Sequence, residues 1–136
     1  MTTTHPEAAA TSSDDQDLVE LAAGLVRSSK RPRHRVAAQA LADEGTILAL
    51  PQVRAALVID RRGRPVAHWE GLMGKLYTLP LDSQQRAFLG LVLSMVSIGS
   101  TPLAAAADLD EARLRILTQA ILRLAGDDSI AIGTRL

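Results

Sequence analysis

Apolar positions along the chain recur at helical spacing in some stretches and alternate in others, and the two periods predict the elements. Leu18, Leu21, Ala22 and Leu25 predict a helix over about 15–28, with acidic residues in its first turn, where the helix dipole favours them. Ser28 to Pro32 breaks it, and a second helix is expected over 33–44, stopped by Gly45. The runs RAALVID (54–60) and RPVAHW (64–69) flank Arg61, Arg62 and Gly63 and predict a β-hairpin over 54–69, with Pro65 at an edge or at the start of a strand. Gly71, Gly74 and Pro80 mark a connector. Asp82, with Gln85 three residues on, has the form of a capping box for a helix over 82–98. That helix has almost no polar face, so it is expected either at the centre of the core or in an oligomer interface. A short helix over 101–107 precedes a helix over 110–125, capped by Asp110 and ended by Gly126. Its Leu114, Leu117, Ile121 and Leu124 fall at i, i+3, i+7 and i+10. SIAIGTR alternates and predicts a strand over 129–135. The fold class expected is α+β, mostly α. Residues 1–13 read as a disordered tail and 14–136 as a single globular domain.

Composition narrows the class. Hydrophobic residues make up 47% of the chain, yet Trp69, Tyr77 and Phe88 are its only aromatic residues, so Ala, Leu, Val and Ile must build the core. The absence of cysteine excludes a disulfide framework, a thiolate metal site and a cysteine nucleophile. The N-terminus lacks the basic start and apolar stretch of a secretory signal, and the longest apolar run, 87–98, is well short of the roughly 20 residues that span a bilayer. A cytoplasmic protein without membrane contact is therefore expected. Formal charge is zero overall but unevenly placed: 1–26 carries five acids and no Lys or Arg, whereas 27–64 carries nine basic residues against three acidic. Any attraction for phosphates must come chiefly from that middle segment.

Two clusters there are candidates for chemistry. RSSKRPRHR (27–35) contains Arg27, Lys30, Arg31, Arg33 and Arg35, and reads either as a clamp on a phosphate backbone or as a solvated linker between helices. Arg61, Arg62 and Arg64 at the hairpin tip read either as a phosphate-contacting wing or as a charged turn. Both clusters on one face would count for more than either alone. No aromatic residue is interleaved with them, which disfavours stacking on single-stranded bases. Enzymatic chemistry finds no support: His5, His34 and His68 have no metal-ligand spacing, and no phosphate loop, dinucleotide fingerprint or nucleophile elbow is present. A non-enzyme with no cofactor and no metal is expected.

TPLAAAADLDEARLRILTQAILRL (101–124) resembles the helix-turn-helix pattern, with Ala104 as the small residue of the first helix, Asp108 at the turn, Leu109 as anchor and Leu114 and Leu117 as plugs. With the preceding apolar helix and the strand 129–135, residues 82–136 resemble a winged helix. That resemblance implies a homodimeric, double-stranded-DNA-binding transcription regulator in which Arg113, Arg115, Thr118 and Gln119 approach DNA, while the basic residues of 27–35 and 61–64 hold phosphates. A second resemblance covers 33–98: LALPQVRAALVIDRRGRPV (48–66) looks like the opening of a roadblock or LC7-type domain. It implies a protein-interaction or dimerisation module, with a protein partner or a second copy and no nucleic-acid contact.

Overall fold

The computed structural model describes residues 6–127 and 129–133. Its helices are α1 (Pro6–Ser28), α2 (Pro32–Glu44), α3 (Pro51–Leu57), α4 (Ser83–Met95) and α5 (Glu111–Ala125), with 3-10 turns at Trp69–Leu72 and Leu103–Asp108. One antiparallel hairpin, β1 (Val58–Arg61) and β2 (Arg64–Ala67), is the only sheet among the described residues. The α+β, mostly α class expected from the sequence is the class observed.

Boundaries follow local chemistry. Pro51 and Pro32 sit in the first turns of α3 and α2, where a missing N–H costs nothing. The hairpin is accordingly shorter than its expected span: residues 54–57 belong to α3 and pairing begins at Val58. Pro6 opens α1, so residues 6–13, expected as a disordered tail, are helical; residues 1–5 lie outside the described residues. A Pro start followed by an Ala run favours a helix by propensity alone, without apolar periodicity. Asp82 accepts from the backbone N–H of Gln85 at 2.7 Å while the Gln85 side chain accepts from the Asp82 N–H at 3.0 Å, the expected capping box. α4 ends at Met95, three residues before its expected limit, because Ser97 turns left-handed at φ 64° and the Ile98 N–H reaches back to the Leu93 carbonyl. The helix expected at 101–107 is a 3-10 helix at Leu103–Asp108.

The strand expected over 129–135 is corrected: residues 129–133 form no strand, and 134–136 lie outside the described residues. A strand needs a free partner edge. β2 packs against α1, and Pro65 within it has no N–H to donate. At the other end of the chain, the Asp127 carboxylate accepts from both the N–H and the hydroxyl of Ser129 at 2.7 Å, which turns the backbone as it leaves α5.

The core forms around α4. Phe88, Leu89 and Val92 are fully enclosed, together with Leu25 of α1, Leu41 of α2, Leu57 of α3 and Trp69. The sequence left α4 as either a core helix or an interface helix; its buried face takes in every residue from Ala87 to Leu93, so it is the core helix. α5 packs mainly on α2 and contributes Leu117 and Ala120 to the core.

Candidate nucleic-acid interface

The candidate cations separate into two groups according to the carboxylates within reach. α5 carries the first group. Arg113 is fixed by its neighbours: Nε and Nη2 donate to Glu44 Oε2 at 3.1 and 2.9 Å, Nη1 donates to Gln84 Oε1 and Asp110 Oδ2 at 3.0 Å each, and Nη2 also reaches Thr46 Oγ1 at 3.3 Å. A guanidinium has five N–H donors, and these contacts use all of them. The Glu44 side chain is 2% exposed, and its other oxygen accepts from the Ile47 N–H at 2.8 Å. Arg113 therefore brackets the end of α2, the start of α4 and the start of α5. Arg115 pairs with Glu111 at 3.1 Å on the surface, the Thr118 hydroxyl donates to the Leu114 carbonyl at 2.7 Å, Gln119 is half-buried, and Arg123 pairs with Asp43 at 3.5 Å. Of the two plug positions, Leu117 is buried and Leu114 is 43% exposed, and Ala104 is on the surface.

The second group converges. Arg27 and Lys30, at the end of α1 and just beyond it, line one open cleft of about 990 Å³ with Arg61, Arg62 and Arg64 of the hairpin, above a floor of Gly24, Ser28, Pro65 and Val66. All five cations are exposed, and none of their side chains has a hydrogen-bonded or ion-paired partner among the described residues. Among the described residues no carboxylate lines the cleft; the hairpin's single acid, Asp60, lies across from Pro65 in the ladder. Arg31, Arg33 and Arg35 lie outside the cleft, whereas the other two cations of the first cluster, Arg27 and Lys30, line it with the three arginines of the second.

Three local features hold them there. Arg62 and Gly63 adopt φ 56° and 77°, the doubly left-handed turn that joins strands through two residues, and so place Arg61 opposite Arg64. In such a ladder the pair flanking the turn is hydrogen-bonded and the next is not, so Pro65 occupies a position where no N–H is called for. Gly24 is the second feature, and one that the sequence reading did not single out. A Cβ at Gly24 would stand 2.7 Å from Cγ of Pro65, so only a glycine lets α1 lie this close to the hairpin. A glycine in mid-helix costs about 1 kcal/mol relative to alanine, and that cost is the signal by which it was legible. The third feature is the turn between α1 and α2, where Ser29 is buried, its hydroxyl donates to the Leu25 carbonyl at 2.7 Å, and Arg35 Nη2 donates to the Ser29 carbonyl at 3.3 Å. Arg35, expected among the phosphate contacts, braces the turn that presents Lys30.

No protein-family model, curated protein or solved structure matches this chain.

The chemistry available to the cleft is that of its donors. Guanidinium and ammonium groups without carboxylate partners attract phosphate, and Arg presents a planar fork suited to its oxygens. Among the described residues no group of three His, Cys, Asp or Glu is placed to hold a metal ion, and no helix is long and apolar enough to cross a membrane.

Proposed function

We propose that the protein is a non-enzymatic, cytoplasmic nucleic-acid-binding regulator that holds the phosphate backbone of double-stranded DNA in the cleft between α1 and the hairpin. The observation that carries this reading is the meeting of Arg27, Lys30, Arg61, Arg62 and Arg64 in one cleft without a carboxylate to neutralise them. Keeping five like charges together costs self-repulsion, which a bound polyanion removes. The reading gives α5 a different part from the one its helix-turn-helix resemblance implies: Arg113 fixes the fold, and the hairpin tip with the end of α1 meets the ligand.

Fluorescence anisotropy of a labelled duplex across a salt series tests it. If each of the five cations neutralises one phosphate, log K falls with log salt at a slope of about −4.5. Replacing Arg61, Arg62 and Arg64 by Gln together brings the slope to about −1.8. Absence of binding at low salt would defeat the proposal.

One observation favours a second reading, a protein-interaction or dimerisation module. Leu103 is 72% exposed, and Leu114 and Ile121 are 43% and 44% exposed, beside a shallow apolar groove of about 240 Å³ between α4 and α5. Sedimentation velocity of the wild type and of Leu114→Glu/Ile121→Glu, together with the duplex titration, separates the two: a dimer dissociated by the double substitution in a protein that binds no duplex supports this reading, and a monomer throughout removes a second copy as the partner of this face.

A further inference from the structure

A second cationic cleft begins at the α1–α2 turn. It has a volume of about 380 Å³ and is lined by Arg31, Pro32, Arg33 and His34 at the start of α2 and by Val96 and Ser97 just past the end of α4. It too has no carboxylate among its lining residues. Arg33 Nη1 touches only the neutral hydroxyl Ser97 Oγ, at 3.4 Å, and Arg31 has no partner among the described residues. Lys30 lines the first cleft and Arg31 the second, so consecutive residues, with Cα atoms about 3.8 Å apart, serve the two clefts.

We infer that the two clefts form one continuous track, running from the hairpin tip over the α1–α2 turn to Arg33, which follows the phosphate backbone of a duplex without reading its sequence. The inference rests on the reading of the first cleft given above and extends it in two ways: it adds Arg31 and Arg33 as a second phosphate-binding site, and it makes the binding independent of sequence.

Two observations carry the extension. The first is rigidity at the junction. The Ser29 hydroxyl bond to Leu25, the Ser29 N–H bond to the Val26 carbonyl at 3.2 Å and the Arg35 bond to the Ser29 carbonyl hold the turn from three directions. Lys30 and Arg31 therefore project from a fixed crest, and a ligand seated on one lies beside the other without an entropic cost for ordering the loop. The second is the donor inventory. The side chains lining the two clefts are cations, one histidine, serines and short apolar residues, with no Asn or Gln to pair with adenine and no aromatic ring except that of the half-buried His34, which packs edge-on against Trp69 with ring centroids 6.4 Å apart. Arginine can pair with guanine, but Arg27 ends α1, Arg33 begins α2, Arg31 lies in the turn between them and the other three sit at the tip of a hairpin with four residues a strand, so no helix presents more than one of them to the floor of a major groove. Charge without base-edge partners selects the backbone, and a duplex carries it at about one charge per 1.7 Å of axis, more densely than a single strand.

The test uses the full chain and two labelled duplexes of unrelated sequence, titrated from about 50 to 200 mM salt. Four proteins are compared: the wild type, Arg31→Gln/Arg33→Gln, Arg61→Gln/Arg62→Gln/Arg64→Gln, and Lys75→Gln as an exposed cation that lines neither cleft. Arg31 and Arg33 are exposed, so an unchanged melting temperature shows that their variant is folded. With the second cleft engaged, the wild-type slope is near −6.3, and Arg31→Gln/Arg33→Gln brings it up by about 1.8. The loss is equal on both duplexes, and Lys75→Gln leaves the slope unchanged. If Arg31→Gln/Arg33→Gln keeps the wild-type slope while the hairpin variant loses affinity, the track ends at Lys30: the inference fails and the first-cleft reading stands. A wild type that prefers one duplex by tenfold or more overturns the claim of sequence independence. A wild type that binds neither duplex overturns both the inference and the reading under it.

Discussion

Arginine occupies two opposite situations in this molecule. At the seam of α2 and α5, Arg113 and Arg123 meet Glu44 and Asp43, and the charges close on one another. At the cleft between α1 and the hairpin, Arg27, Arg61, Arg62 and Arg64 line one space with Lys30 and with no carboxylate among the described residues. Charge type does not separate the two, and local arginine density separates them little: residues 61–64 hold three arginines and residues 112–115 hold two. The difference is the company that the fold brings. Where carboxylates arrive from other elements, arginine becomes a bracket; where none arrives, its hydrogen-bonding capacity remains for a ligand.

Removing the bracket is the substitution with the largest expected effect. Arg113→Ala leaves the Glu44 carboxylate buried with its charge unpaired, and breaking a buried pair from one side costs about 3 kcal/mol or more. Chemical denaturation should register that loss, whereas duplex affinity per folded molecule should stay at the wild-type value. Pairing the change with Glu44→Gln should recover part of the stability, since an amide keeps the Ile47 N–H satisfied without a bare charge. A fully stable Arg113→Ala would show that the seam and the cleft differ less than the contacts imply.

Gly24→Ala attacks the comparison from the other side. Its Cβ would press on the Pro65 ring, and overpacking of this kind costs about 1–3 kcal/mol, offset by about 1 kcal/mol of gained helix propensity. A modest net destabilisation is therefore expected. Displacing the hairpin from α1 also separates Arg27 and Lys30 from Arg61, Arg62 and Arg64, so the salt slope of duplex binding should flatten although no charge has been removed. An unchanged slope would mean that the cations act singly and that their gathering in one cleft has no consequence.

Neutralising the cleft should barely touch the fold. Exposed substitutions away from packed features fall within about ±0.5 kcal/mol, and relief of mutual repulsion among the remaining cations points toward a small gain. The contrast with Arg113→Ala is the measurable content of the two-region picture: one arginine changes stability and not binding, and three change binding and not stability.

The sequence carried a good part of this, unevenly. Caps were legible because they are local: Asp82 with Gln85, Asp110 with the Arg113 N–H, and Gly126 in a left-handed C-terminal cap at φ 73° all stand as their chemistry implied. The hairpin was legible from its turn, although four residues assigned to its first strand went to α3, since Arg54 to Leu57 suits a helix as well as a strand once Pro51 has started one. The terminal strand was misread because alternation states a preference and not whether an edge is free. Both halves of the cationic cleft were visible as clusters, and only their meeting was not. That meeting depends on the contact of Gly24 with Pro65, between residues more than forty apart in the chain. The role of Arg113 was hidden for the same reason, because Glu44 lies 69 positions away.

Asp127 offers the smallest effect and a third way to satisfy a charge, by neutral donors of its own turn. Its carboxyl is held below the ordinary carboxylate value by the Ser129 hydroxyl and then by the Ser129 N–H, both donating to the charged form. A folded-state pKa below the unfolded one adds stability that is present above the unfolded value and is lost as the pH falls through the folded value. The side chain is fully exposed, so the effect on global stability is slight, and the direct readout is the carboxyl titration itself. Ser129→Ala removes the larger of the two causes and keeps the N–H, so the midpoint of Asp127 in a carbon-detected NMR titration should move up toward the ordinary value without reaching it. If it does not move, the backbone donor alone holds the charge, and the turn at the end of α5 owes nothing to the serine hydroxyl.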